Sequence, residues 1–224
     1  MAGISWENNN WLVDAEAYTK ELSGLSEYSL RFSINPGQLN YQENFFQGTG
    51  DARGIDLLVQ KKFGNYTGWV AYTLGEVTNQ YDVYGKEKFY AANDVRHEFK
   101  TVHTYKWKQF DFAATFIYAS GKPYTAPSGG YTVTLLDGTT QDFINVSAKN
   151  ANRLPAYHRF DVSATYNFGR LGSGNGTIGL SLFNLYNRKN SWYKNYELSN
   201  NTIIETDVQY LGITPNLTFT YRFK

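Results

Sequence analysis

Apolar and polar residues alternate with a period of two along most of the chain. Phe160, Val162, Ala164, Tyr166 and Phe168 interleave with Arg159, Asp161, Ser163, Thr165 and Asn167. Leu211, Ile213, Pro215, Leu217, Phe219, Tyr221 and Phe223 interleave with Gly212, Thr214, Asn216, Thr218, Thr220 and Arg222. One apolar and one polar face is the mark of a strand that meets two different media. The same alternation runs through Ile55-Leu57-Val59-Phe63, Phe110-Phe112-Ala114-Phe116-Tyr118 and Ile178-Leu180-Leu182. It is weaker at Val13–Glu21, Val70-Tyr72-Leu74 and Phe99–Tyr105. The pattern predicts eight strands, centred near residues 16, 59, 72, 101, 114, 164, 182 and 217. Ala2–Trp6 reads as the stub of a ninth. No segment carries a 3.6-residue period, so the expected class is all-β.

The connections alternate in length. Short ones are expected near Glu7–Asn10, Gly64-Asn65, Lys106–Gln109 and Phe168–Gly176. Long ones are expected at Ser23–Asp51, Asn79–Val95, Ser120–Leu154 and Arg188–Tyr210. In an up-and-down antiparallel sheet this sorts every short turn to one end and every long loop to the other. Outer-membrane barrels have that asymmetry, with short periplasmic turns and long extracellular loops. A β-sandwich has no reason to sort its loops so strictly.

Composition narrows the choice. The 21 basic and 20 acidic residues leave a net charge of +1, which argues against general nucleic-acid binding. There is no cysteine, hence no disulfide framework and no thiol nucleophile. Mean hydropathy is −0.50, and no apolar run approaches the length of a membrane-spanning helix. A membrane β-barrel survives that test, because alternation hides its apolar residues in the average. Met1–Trp6 lacks the basic and apolar regions of a secretory signal, which by itself points to a cytoplasmic chain unless the sequence is a processed piece. Two features favour lipid on the apolar side. Apolar faces begin and end in aromatics, as interfacial girdles do (Phe160 and Phe168, Phe110 and Tyr118). Polar faces mix small and ionic groups, as a wet lumen does.

Several segments then carry a resemblance. Asp94-Val95-Arg96-His97, followed by Tyr118-Ala119-Ser120-Gly121-Lys122-Pro123-Tyr124, resembles the "D-x-R-H" and "Y-x-S-G-x-P-Y" segments of TonB-dependent outer-membrane receptors. Arg153-Leu154-Pro155-Ala156-Tyr157-His158-Arg159-Phe160-Asp161-Val162-Ser163 is similar to their "R-L-P-x-Y-x-R-x-D-x-S", and Phe183–Asn187 to their "x-N-L-x-N". Gly54–Tyr72 and Asp14–Tyr18 also fit. The resemblance implies an antiparallel transmembrane β-barrel segment in the outer membrane of a Gram-negative bacterium. It makes residues 1–224 the C-terminal part of a barrel of about 22 strands. The plug domain and remaining strands would lie outside this sequence, and TonB would act only through the missing N-terminal part. Partners would be outer-membrane lipid and the rest of the barrel and plug. The implied role is import of an iron chelate, vitamin or oligosaccharide. Two other readings stand beside it: a soluble β-sandwich that binds carbohydrate, and a small stand-alone eight-stranded barrel.

No catalytic, cofactor or metal site is expected, and the chain reads as a non-enzyme. His97, His103 and His158 read as strand-end or girdle residues, and Asp14 with Glu16 as a polar ladder. Gly172–Gly176 reads as a turn, and the Asn-x-Ser/Thr triplets as chance in an Asn-rich chain. The long loops hold many aromatics. Tyr84, Tyr90, Tyr124, Tyr131, Trp192 and Tyr193 are candidates either for ligand contact or for packing loop on loop over a pore. The resemblance makes Phe219, Tyr221 and Phe223 a terminal assembly signal, although Lys224 follows them.

Overall fold

The computed structural model describes residues 1–29, 41–171, 174–199 and 202–222. Its strands are β1 (Ala2–Glu7), β2 (Trp11–Tyr28), β3 (Phe45–Lys61), β4 (Tyr66–Tyr81), β5 (Phe89–Tyr90), β6 (His97–Trp107), β7 (Phe110–Ala119), β8 (Pro123–Tyr124), β9 (Pro127–Thr134), β10 (Thr140–Val146), β11 (Asn152–Arg153), β12 (Tyr157–Leu171), β13 (Gly174–Phe183), β14 (Ser191–Ser199), β15 (Thr202–Gln209) and β16 (Thr214–Arg222). Two single 3-10 turns, Tyr41–Asn44 and Asp82–Tyr84, are the helical content among the described residues.

One antiparallel sheet dominates, in the order β1-β2-β3-β4-β6-β7-β12-β13-β16, with β5 added along β4. All eight expected strands and the N-terminal stub are present, in sequence order. The sheet is open: β1 pairs only with β2, and β16 only with β13. The described chain therefore does not form a small closed barrel.

Two expectations need correction. The 23–51 connection is shorter than its polar composition suggests, because β2 continues to Tyr28 and β3 starts at Phe45. A register shift between Leu22 and Leu25, with Gly24 at φ 69°, breaks the alternation there and hides the strand from a period-two reading. The long connections after β7 and β13 are also not plain loops. They fold into hairpins β9–β10 and β14–β15, which touch each other.

Register fixes the faces, since directly paired residues share a side. Val13 pairs with Val59, Val59 with Val70, Val70 with Thr101, Thr101 with Phe116 and Phe116 with Phe160, which makes one row of the apolar face. Glu16, Asp56, Thr73, Glu98, Ala119 and Tyr157 make a row of the polar face. The apolar face is uncovered. Ile55, Leu57, Val59, Phe112, Leu180, Leu217 and Phe219 are all exposed. Among the described residues the buried apolar side chains are Tyr81, Ala91 and Pro123, whereas Asn44, Asp94, Thr101, Asn150, Asn184 and Asn190 are buried polar ones. A soluble domain of this length buries a large apolar core. A soluble sandwich would need a second sheet over the apolar face, and the described two-stranded sheets, β8–β11, β9–β10 and β14–β15, are all built from the long connections.

The three histidines point outward, each sharing a hydrogen bond with a tyrosine: His103 with Tyr66 at 2.7 Å, His97 with Tyr72 at 2.8 Å and His158 with Tyr186 at 2.7 Å. Phe219 and Tyr221 lie on the edge strand β16, where Phe219 stacks on Phe168 at 6.1 Å. Phe223 lies outside the described residues.

Candidate functional site

At the long-connection end, the polar faces of β6, β7, β12 and β13 stop and the loops begin. A recess of about 360 Å³ opens there. Alternation aims Glu98, Ile117, Ala119, Tyr157, Arg159 and Phe183 into it from the strands. Gly121, Lys122, Leu154, Trp192 and Tyr210 close it from the connections.

Its charged groups are held in place. The Arg159 guanidinium donates from Nε to Asp161 Oδ2 at 3.0 Å and from Nη1 to the Tyr157 hydroxyl at 3.0 Å, and lies 4.0 Å over the Phe183 ring. Glu98 pairs with Lys100 at 2.8 Å. One wall is a chain of aromatic contacts: Tyr157 meets Tyr210 edge-on at 5.7 Å, Tyr210 meets Trp192 at 5.7 Å, and Trp192 meets Tyr193 at 5.2 Å. The lining is mostly apolar and aromatic, with Arg159 held in place by Asp161 and Tyr157, and with Glu98 and Lys122 as its other charged groups. Among the described residues no group of His, Asp or Glu is placed to hold a metal.

Two buried polar pins set the rim of this recess, and both join segments that carried the resemblance. Asp94 is fully buried; it accepts the Val77 N–H at 2.7 Å and the Arg153 Nη2–H at 2.5 Å. Arg153 also donates to the Gly121 carbonyl at 3.0 Å and lies 4.5 Å over the Tyr90 ring. At that crossing a Cβ on Gly121 would stand 1.5 Å from the Leu154 carbonyl oxygen, so only glycine fits. The second pin is Asn184, fully buried at φ 54°. Its N–H donates to Asp161 Oδ1 at 2.8 Å, and its amide donates to the Arg188 and Leu211 carbonyls at 2.9 and 3.1 Å. Asparagine tolerates this left-handed backbone better than most residues.

Of the six aromatic candidates, Trp192 lines the recess. Tyr193 packs on Trp192 and is 47% exposed. Tyr90 lies beneath Arg153. Tyr84 donates to Glu27 Oε1 at 2.6 Å and forms a T-shaped contact with Phe89 at 5.6 Å, and Tyr81 stacks on Phe89 at 6.1 Å, so this group packs loop on loop. Lys149 joins it, 5.0 Å over the Tyr84 ring and ion-paired with Glu27. Burial works against the Lys149 charge, but Glu27 and Tyr84 outweigh it and hold the ammonium above its ordinary value. Tyr131 stacks on Phe143 at 5.5 Å in the β9–β10 hairpin. Tyr124 carries the Lys194 ammonium 5.8 Å over its ring. Sequence reading missed Glu98, Lys122, Tyr157, Arg159 and Tyr210. The available signal was parity: Tyr157 and Arg159 lie in step with Asp161 on the polar face of β12.

The β14–β15 hairpin beside the recess carries its own pH dependence. The hydrogen bond from Lys194 holds the Glu205 carboxyl below its ordinary 4.5, and the same bond raises Lys194 above 10.5. Tyr196 donates to Glu205 at 3.1 Å; its phenol is pushed up by burial first and then by bonds with Tyr124 and Glu205. A lowered carboxyl contributes stability above its unfolded value and loses it as pH falls; a raised ammonium contributes below its unfolded value and loses it as pH rises. The hairpin is therefore expected to be tightest between about pH 5 and 10. Limited proteolysis should cut it faster at about pH 3 than at pH 7, and Glu205→Gln should remove most of that difference.

The fold has a counterpart among solved structures. The chain superposes on part of the ferripyoverdine receptor of the outer membrane of Pseudomonas aeruginosa, solved bound to ferripyoverdine, with a TM-score of 0.53 and 10% sequence identity. The match covers 99% of this chain and 26% of that receptor, so the chain spans about a quarter of the receptor's length. At this identity the likeness is one of fold. No protein-family model and no curated protein matches the chain in sequence.

Proposed function

We propose that the chain is a wall section of an outer-membrane, TonB-dependent receptor barrel that imports a nutrient. In this reading the apolar rows face lipid, the polar rows line the lumen, and the recess with its hairpins contacts solute at the outer mouth. One observation carries the reading: the apolar face of the main sheet is continuous and uncovered, while buried side chains are mostly polar. Lipid supplies the missing cover. The two open edges support it further, since β1 and β16 each offer a free row of backbone groups for neighbouring strands of the same barrel. The charged row at Arg53 and the next outward charge on β3, Lys61, are eight residues apart, about 26 Å along the strand. At a strand tilt of about 40° that length spans about 20 Å of height, a little under the roughly 25 Å apolar band of an outer-membrane barrel. The chain does no covalent chemistry in this role; it holds the wall, lines the path and positions the loops.

The test is the intact mass of the polypeptide carrying these peptides in outer-membrane preparations of the source cell. A heat-modifiable species of about 100 kDa, four times the 25.6 kDa of this chain, is expected from the share of the receptor that is matched. A soluble 25.6 kDa species that binds oligosaccharide without detergent would sink the proposal in favour of a carbohydrate-binding domain.

A further inference from the structure

The outward face changes character within a single pair of residues. Ile55 and Leu74 form a directly paired apolar couple on β3 and β4. Two residues further toward the long connections, the paired couple on the same face is Arg53 and Glu76. Arg53 donates to Glu76 Oε1 from Nε at 2.9 Å and from Nη2 at 2.5 Å. Arg96, one residue before β6, donates to the other carboxylate oxygen at 2.6 Å. Two guanidiniums therefore share one carboxylate. Glu76 is largely covered, with 17% of its side chain exposed, while Arg53 keeps 71% and Arg96 44%. Each guanidinium has five N–H donors, so both retain donors free of Glu76. The row above is closed off differently. Asp51 pairs with Lys88 there, and Glu21 lies opposite Asp51. Positive charge is thus concentrated in the first row beyond the apolar band.

The geometry points to a seat for the phosphate of an outer-leaflet lipid headgroup, formed by Arg53 and Arg96 and braced by Glu76. This inference rests on the membrane reading of the apolar face, because that reading puts the first charged row at headgroup height. Arg53 and Glu76 stand on the face opposite the recess, and Arg96 reaches the Glu76 carboxylate from the chain just before β6. Planar guanidiniums bind phosphate oxygens through paired N–H donors. Here a shared carboxylate fixes the two forks in advance, which lowers the ordering cost of binding. Removing both cations should weaken binding by about thirty-fold, roughly five-fold for each cation near the surface, with the effect shrinking at high salt.

The experiment uses the whole polypeptide that carries this chain, extracted from outer membranes in detergent. Binding of bisphosphorylated lipid A and of its dephosphorylated form is measured for the wild type, the Arg53→Gln/Arg96→Gln variant and Glu76→Gln. The double variant is expected to reach the outer membrane, keep its heat-modifiable band and lose binding of the phosphorylated lipid alone. Glu76→Gln keeps both cations but loses the brace between them, so it is expected to bind more weakly than the wild type and more tightly than the double variant. Equal binding of phosphorylated lipid A by the wild type and a correctly assembled double variant would overturn the seat and leave the barrel reading intact. Full displacement by millimolar inorganic phosphate would also overturn it, making the row a general anion site. Absence of the wild-type protein from the membrane would overturn the barrel reading, and the seat with it.

Discussion

Leu57→Arg is expected to block stable insertion of the barrel wall, whereas Leu58→Arg is expected to be tolerated. The two leucines are neighbours on β3 and face opposite sides. Leu57 pairs with Ala15 and Tyr72 on the apolar face, and Leu58 with Asp14 and Ala71 on the polar one. Leu57 is 43% exposed and stands midway between Arg53 and Lys61, near the centre of the band. An arginine at the middle of a lipid-facing row costs about 2–4 kcal/mol. That is a shift of roughly thirty-fold to several-hundred-fold between inserted and uninserted protein. At position 58 the same side chain would face water beside the Asp14 carboxylate, and about 1 kcal/mol or less is expected. The contrast separates the two media. In a protein folded in water, an arginine at an exposed position such as 57 changes stability by about 0.5 kcal/mol. Folding into vesicles, followed by gel mobility before and after heating, reads the difference. Equal yields for the two variants would mean that the apolar face does not meet lipid.

The faces were legible from the chain because the side-chain period of a strand is two, so composition along a strand records the medium on each side. Nine strands, their order and the short turns near 7–10, 64–65 and 106–109 followed from that reading; of the turn expected at Phe168–Gly176, β12 takes the chain to Leu171 and β13 resumes it at Gly174, and 172–173 lie outside the described residues. The alternation failed where pairing and patterning part company. Between Leu22 and Leu25 the register slips, and the continuation of β2 to Tyr28 carries Ser23, Gly24, Ser26 and Glu27. Ser26 and Glu27 belong to the strand because β3 pairs with them, while Ser23 and Gly24 are the unpaired residues of the register shift. Hairpins β9–β10 and β14–β15 were hidden for the same reason. Their strands stand clear of the main sheet and carry polar residues on both sides, as at Thr140-Gln141-Asp142 and Thr202–Asp207.

The site was harder to see than the fold. The aromatic excess of the loops was plain, but which rings meet a cavity depends on where distant segments cross. Tyr84 and Tyr90 are held in loop packing by Glu27 and Arg153, residues far away in sequence. Trp192 reaches the recess because Asn190 is anchored to His158 by bonds of 3.0 and 2.9 Å. The segments with the resemblance proved to be the ones that fold the rim. Asp94 meets Arg153, and Asp161 meets Asn184, so residues from three separate stretches brace each other in two pairs.

The Asp94–Arg153 pin is the one whose loss should be felt most at the recess. Arg153→Ala leaves the Asp94 carboxylate buried with one backbone N–H as its remaining partner shown here. Breaking a buried pair from one side costs about 3–5 kcal/mol; with the Arg153 side chain 32% exposed, about 2–3 kcal/mol is expected. The loss is local, because the strands below are held by their own ladders. It should appear as faster amide exchange and protease cutting in 120–156, where Gly121 and Leu154 line the recess, while β6 and β7 stay protected. Adding Asp94→Asn to Arg153→Ala should recover about 1 kcal/mol or more, since the amide removes the stranded charge and still accepts from Val77. A double variant that behaves worse than Arg153→Ala alone would show that the guanidinium does not serve to neutralise Asp94. Its stacking on Tyr90 and its bond to Gly121 would then have to account for the fold of the rim.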